Sequence, residues 1–316
     1  MSAFARLAIS RRLLIALGAG LASALYVLLL YGHQAPGVVS DWDATWVGAR
    51  ALLRGQNPYT SIPNPPWPWG LNYPMPAVIL SVPFAFLPLP LARALFVAVG
   101  TVLFTWAVLE RGTWRLYLVV SGAMYWSWIP VQWAPVLIGS VLTPGLAWIL
   151  AAKPTMGFAL WVAYPRRSAI IGGLLLVGLG FLLQPHWVQP WQATVARLHH
   201  EPHALRPGGF LLLLALLRWR RPEGRLLAAL SLVPQTTALY EALPLGLVAE
   251  SRPQAAGFAA LTVAAHLLYQ AGPQGPWPVG AEYQWWVMLF LIYLPTLGLV
   301  LSRPNVLPLP EDTLQS

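Results

Sequence analysis

Between Leu13 and Tyr31 this chain carries no charged residue, and apolar runs of the same kind recur to its end, separated by short knots of arginine. That pattern leaves few folds open. A helix needs about 20 apolar residues to cross a bilayer, and lipid obliges every backbone N–H and C=O to find a partner inside a helix or a closed barrel. Apolar residues make up 57% of the chain and charged residues only 9%, against about 25% charged in an ordinary soluble domain. The expected fold is therefore all-α, a polytopic transmembrane helical bundle forming a single integral membrane domain over 1–316 in the lipid bilayer. Cysteine is absent, which excludes disulfides and thiolate metal sites, and the six histidines show no metal-ligand spacing, so neither metal nor cofactor is expected. The net charge of +9 does not point to nucleic acid, because the arginines sit in clusters between apolar runs and form no continuous basic face.

Those clusters, Arg11-Arg12, Arg166-Arg167, Arg218 to Arg225, Arg252 and Arg303, read as the cytoplasmic ends of spans. Residues 1–31 then form an anchor that crosses outward from a cytoplasmic N-terminus, in the plasma (inner) membrane. The run is long and lacks the small-residue cleavage site of a signal peptide. A first outer loop covers 32–73, central spans 74–165, and C-terminal spans 166–316 with a second outer loop at 184–207. Roughly ten to twelve hydrophobic passes are expected, some short or broken. They include 73–87, 91–109, 116–129, a hairpin over 131–152 interrupted at Thr143-Pro144-Gly145, and a last pass over 285–301. The first outer loop carries a short interfacial helix over 44–53, with Asp43 at its start and Gly55 at its end, and the Pro/Trp-rich stretch 63–69 lies extended at the bilayer surface. The turn 110–115 falls outside when spans are counted from the first, and inside when they are counted back from Arg166.

Aspartate occurs only at Asp41, Asp43 and Asp312. Glu223 and Glu250 lie in the arginine-rich loops, and Glu311 and Asp312 in the tail. Asp41, Asp43, Glu201, Glu241 and Glu282 are left for the outer side. Asp41 and Asp43 adjoin a span and are flanked by Trp42 and Trp46, a setting that desolvates a carboxylate and raises its pKa toward that of a general base. The plainer alternative is that one of them caps the helix that follows. Lys153, the only lysine, stands between two apolar arms, where an ammonium suits a phosphate or else snorkels to the interface. In the second outer loop His186, His199 and His200, with Arg197 or Arg206, offer phosphate contacts or a proton relay, or are simply a solvated surface. Glu241 either orients a sugar hydroxyl or pairs with an arginine. Trp42, Trp46 and Trp187 are candidates to stack on a sugar or a prenyl chain, the other tryptophans belonging to the interfacial belt.

The series Asp41-Trp42-Asp43-Ala44-Thr45-Trp46, Ala49-Arg50-Ala51-Leu52-Leu53-Arg54-Gly55, Asn57-Pro58-Tyr59, Tyr73-Pro74-Met75-Pro76, Pro83, Leu87-Pro88, Gln132 and Lys153-Pro154 resembles the C-type multi-span glycosyltransferases, specifically glycosyltransferase family 87. It extends through about residue 165; beyond that the likeness is one of hydropathy. The resemblance implies transfer of a hexose, mannose-like, from a polyprenyl-phosphate sugar donor to a lipid or glycan acceptor at the outer membrane face, with no nucleotide sugar. It implies Asp41 as the base and Lys153 at the phosphate; Asp43, beside Asp41, is expected to assist. Gln132, Tyr73 and Arg50 join His186, His199 and Glu241 as substrate-binding candidates. Three departures stand out: the chain is shorter than most such enzymes, Val131 occupies a position where Gly is usual, and 132–153 is too short for two full spans. The rival is a non-catalytic or transport-type polytopic protein handling lipid or solute, in which the same aspartates couple to protons.

Overall fold

A computed structural model describes residues 3–33, 38–62, 70–198, 200–273 and 279–306. Every element among them is helical. The long α1 (Ala3–Gly32) is followed by α2 (Asp43–Leu53), α3 (Met75–Ser81) and the long α4 (Leu89–Leu109). Next come α5 (Leu116–Val119), α6 (Gly122–Trp128), α7 (Ala134–Leu142), a 3-10 segment Ala147–Ala152, and α8 (Pro154–Ala163). Then α9 (Arg167–Leu183) bends by 108° into α10 (Val188–Val195). A 3-10 segment Gly209–Arg218, α11 (Pro222–Leu232), a 3-10 segment Leu239–Val248 and α12 (Arg252–Ala271) precede α13 (Val279–Met288) and α14 (Leu294–Leu301), which a π turn joins into one rod.

Among the described residues three helices are long and apolar enough to cross a membrane, Arg11–Gly32, Leu89–Leu109 and Gly280–Leu301, or four if the bent pair α9 and α10 counts as one span. This corrects the expected ten to twelve passes. The apolar runs are real but the elements they form are half-length: ten α-helical residues rise about 15 Å and ten 3-10 residues about 20 Å, against a hydrocarbon core of about 30 Å. The expected pass over 73–87 ends as α3 plus a 3-10 turn containing Pro83, whose ring and missing N–H stop the helix. The one over 116–129 breaks at Ser121, whose hydroxyl caps α6 by accepting from the Met124 N–H at 3.2 Å. The hairpin over 131–152 forms as α7 and the Ala147–Ala152 segment, with the interruption at residues 143–146. In the first loop α2 stops where Gly55 takes φ +71°, the left-handed conformation that glycine adopts freely. Residues 63–69 lie outside the described residues.

The short elements share one end. The Arg225 guanidinium donates to Val162 O and Ala163 O at 2.9 Å, at the C-terminus of α8. Arg303 Nη2 donates to Val248 O at 2.7 Å and Arg115 Nη2 to Ala249 O at 2.9 Å, at the C-terminus of Leu239–Val248. Arg166 Nε reaches Val141 O at 3.4 Å beside the end of α7, and Arg218 Nη2 donates to Leu301 O at 2.7 Å at the end of α14. These carbonyls have no partner within their own helices, and a cation there also meets the negative end of the helix dipole. Glu223 and Glu250 tie Arg221 and Arg303 together, with contacts of 2.5 Å from Arg221 to Glu250 and 3.3 Å from Arg303 to Glu250. The turn 110–115 lies at this same end, since Arg12 meets Glu110 at 3.7 Å and Arg111 lies over the Tyr164 ring at 5.6 Å. That agrees with the count from Arg166.

Trp42 is fully buried and stacks on Phe96 of α4 at 4.6 Å, with its edge toward Phe84. Phe96 in turn meets Trp133 at 4.9 Å. The wedge fixes the entry of α2 against α4 and α7, so Trp42 is a core residue and offers no face to a sugar. Removing the capping guanidinium in Arg225→Ala is expected to lower stability by about 2–3 kcal/mol, since charge-assisted hydrogen bonds are worth roughly 1.5–3 kcal/mol each and the freed carbonyls recover part of the loss in water. Arg54→Ala, at an exposed position, should change it by under about 0.5 kcal/mol. Denaturant unfolding of the detergent-solubilised chain measures both.

Candidate catalytic site

The two neighbouring aspartates end in opposite environments. Asp43, the first residue of α2, is completely buried and accepts four hydrogen bonds: Arg93 Nε at 2.8 Å, Arg93 Nη2 at 2.5 Å, Ser40 N at 2.6 Å and Ser40 Oγ at 2.6 Å. Arg93 Nη2 also donates to Val38 O at 3.2 Å, and its guanidinium lies over the Tyr31 ring at 3.9 Å. This ties the loop 38–43 to both α1 and α4. A carboxylate with four donors, two of them from a bidentate cation, has little capacity left for a substrate proton, so Asp43 holds structure and is withdrawn from the assisting role. Nor is it an N-cap: that position is Trp42, with no side-chain cap bond.

Asp41 keeps part of its surface open. Its backbone N–H donates to Pro130 O at 3.1 Å, and its Oδ2 accepts from Gln132 Nε2 at 2.5 Å. Gln132 is aimed by the turn before α7, where its own N–H donates to Ser127 O at 2.8 Å and Val131 takes φ +54°. That conformation costs a β-branched residue about 1–2 kcal/mol, where glycine would adopt it freely. Burial, more than any other influence, pushes the Asp41 carboxyl up to about 6. The Lys153 charge opposes the rise, the charges of Asp43 and Glu241 add to it, and the Gln132 hydrogen bond lowers it again.

Lys153 closes the Ala147–Ala152 segment and opens α8. Its Nζ meets Glu241 Oε1 at 3.0 Å and lies 4.7 Å from the centre of the Tyr240 ring. The Glu241 carboxylate is almost wholly buried, and its Oε2 has no hydrogen-bond partner among the described residues; the same is true of Gln132 Oε1. Tyr73 and Tyr240 are buried beside them, and burial, then the charges of Asp41 and Glu241, raise both hydroxyls well above the usual tyrosine range. They are neutral donors. The elements α7, α8 and Leu239–Val248 all begin at this cluster and end at the arginines, so three positive dipole ends converge on it, a setting suited to an anion. Asp41, Gln132, Tyr73, Lys153 and Glu241 are thus brought together, with two open buried acceptors among them.

Other sequence candidates fall elsewhere. Arg50 is exposed and lies over the Trp46 ring at 4.8 Å, and His186 is exposed in the bend between α9 and α10. His199 lies outside the described residues. His200 is exposed and within electrostatic reach of Lys153: partial desolvation, then Lys153 and Arg206, lower its pKa. His203 is fully buried between Trp285 at 4.9 Å and Tyr293 at 5.1 Å, and burial pushes it down to about 3. It is a neutral core residue. Among the described residues no three His, Asp or Glu side chains stand close enough to hold a metal ion. Sequence reasoning passed over Arg93 and Tyr240. Arg93 had a signal, being a lone cation inside an apolar run, which ordinarily needs a named partner; Tyr240 had none.

No protein family, curated protein or solved structure matches this chain.

Stability separates the two aspartates. Arg93→Gln leaves a buried carboxylate uncompensated and should cost about 3–5 kcal/mol. Asp41→Asn should cost nothing at neutral pH. With its folded pKa raised to about 6 from 3.8, Asp41 binds a proton in the folded chain that the unfolded chain has already lost, so its contribution to stability falls as pH rises from about 4 to 6. Thermal unfolding of both variants against pH tests this, and the slope in that window should flatten in Asp41→Asn.

Proposed function

We propose that this chain is a polytopic membrane glycosyltransferase that moves a hexose, mannose-like, from a polyprenyl-phosphate sugar to a lipid or glycan acceptor. The observation that carries the reading is that Asp41, held by Gln132 at 2.5 Å, lies within electrostatic reach of the Lys153–Glu241 pair at the N-termini of three short elements. In the proposed reaction Asp41 takes the proton of an acceptor hydroxyl, and that oxygen attacks the anomeric carbon. The bond from this carbon to the phosphate oxygen breaks, and its electrons leave with the polyprenyl phosphate. Lys153 has two N–H donors beyond the one on Glu241, and with the dipole ends it receives the departing anion. Gln132 holds Asp41 in place, while Glu241 Oε2 and Gln132 Oε1 are open to sugar hydroxyls.

A groove of about 420 Å³ supports a lipid-linked donor. It is lined by Pro74, Pro154, Ala151, Leu174, Trp187 and Trp191, so it begins beside Tyr73 and Lys153 and runs along α9. The prenyl chain lies there in this reading, with Trp187 and Trp191, 5.6 Å apart, against it. In the accompanying topology α1, α4 and the α13–α14 rod span the plasma membrane and the half-length elements enter from the arginine end. That end faces the cytoplasm with the N-terminus, and Asp41 faces outward.

The test is transfer by the purified chain from a panel of polyprenyl-phosphate sugars, followed as release of the lipid phosphate. Asp41→Asn should lower turnover by about 10²–10⁴-fold, the usual worth of a general base, without loss of stability. The residual pH profile should lose its rise through about 6, where the wild-type base becomes ionised. Turnover unchanged in Asp41→Asn would refute the assignment, and a carrier would release no lipid phosphate at all.

A further inference from the structure

The geometry points to a second lipid site, distant from Asp41, in which one acyl chain of an anionic phospholipid lies between α1 and α4 and its phosphate meets Arg12. A groove of about 590 Å³ is walled by Leu17 and Leu21 of α1, Val99, Val102 and Trp106 of α4, and Ile149 of the Ala147–Ala152 segment. Its lining carries no charged residue. The volume falls within the roughly 300–1,000 Å³ that accommodates small ligands. At Gly20, in the floor, an added Cβ would stand 2.4 Å from Val102 Cγ2, so α1 and α4 touch there and the space lies over the seam between them.

Charge fixes what fits. Trp106 lines the groove and also carries the Arg12 guanidinium, 3.7 Å from its ring centre, so the apolar channel leads directly to a cation. That guanidinium is incompletely paired among the described residues: its Nε is buried with no hydrogen-bond partner there, and its one carboxylate contact among them is Nη1 to Glu110 at 3.7 Å, where the Glu110 side chain is 61% exposed. A planar guanidinium stacked on an indole is preorganised for the oxygens of a phosphodiester. A zwitterionic lipid offers the same chains and a phosphate, but its own ammonium competes for it. Because the Arg12 end is cytoplasmic under the topology proposed above, the site would face the leaflet where anionic lipid is concentrated. The inference rests on α1 and α4 as spans and is independent of sugar transfer.

Native mass spectrometry of the full chain in neutral detergent, with dioleoyl phosphatidylglycerol and dioleoyl phosphatidylcholine offered together, decides it. The anionic lipid should be retained preferentially. Arg12→Gln should cut that preference about fivefold, the contribution of one surface cation, while Arg11→Gln, exposed and equal in charge, should leave it. Val99→Trp, which fills the groove, should lower retention of both lipids. The site is overturned by equal retention of the two lipids, by equal losses in the Arg11 and Arg12 variants, by undiminished binding to Val99→Trp, or by full competition from inorganic phosphate. If Arg12→Gln fails to fold, Val99→Trp and the phosphate competition still decide. None of these readouts involves transfer, so a chain inactive toward every sugar donor leaves the lipid site to stand or fall by itself.

Discussion

Guanidinium groups bound to helix C-terminal carbonyls are the constraint on which the rest of this architecture depends. A helix of nine or ten residues leaves its last carbonyls without partners of its own, and an unpaired buried polar group costs free energy comparable to a lost hydrogen bond. Arg115, Arg166, Arg225 and Arg303 supply the missing donors. Pinning the C-termini at one end also fixes where the other ends fall. Elements of similar length, anchored at a common level, bring their N-termini to similar depth, and there Gln132, Lys153 and Glu241 meet.

The aspartates show how two residues of one type are driven apart by their surroundings. Asp43 meets a bidentate arginine and a serine turn, so its charge is fully compensated. Two residues earlier Asp41 has one amide donor and a more distant ammonium against burial and two neighbouring carboxylates. The first arrangement makes a rivet between loop, α1 and α4. The second leaves a carboxyl raised toward neutral pH, and the rivet is what holds it steady.

The sequence revealed the helical class, the α1 and α4 runs, the extent of α2 and the broken hairpin over 131–152, and it singled out Asp41, Lys153 and Glu241 as isolated charges. It did so because hydropathy, capping residues and isolated charges are local signals. What it could not reveal is long-range. Whether an apolar run becomes a full span or a half-length rod depends on a capping arginine some 60 residues away, as Arg225 is from Ala163. The Asp43 pairing needed a partner 50 positions distant. Val131 looked like a departure from a motif, and its meaning emerged only with its left-handed backbone. A positive-inside reading of the arginines was silent about their second occupation as helix caps.

Lys153 is the only lysine among 316 residues, and the arginine caps at the far end mean that no other side chain duplicates its chemistry. Amine-directed reagents therefore have one internal target, and lysine labelled with ¹⁵N contributes one ammonium signal. The protein thus carries a built-in spectroscopic reporter at its centre, where a change of partner from Glu241 to an arriving anion is read from a single resonance with nothing to assign.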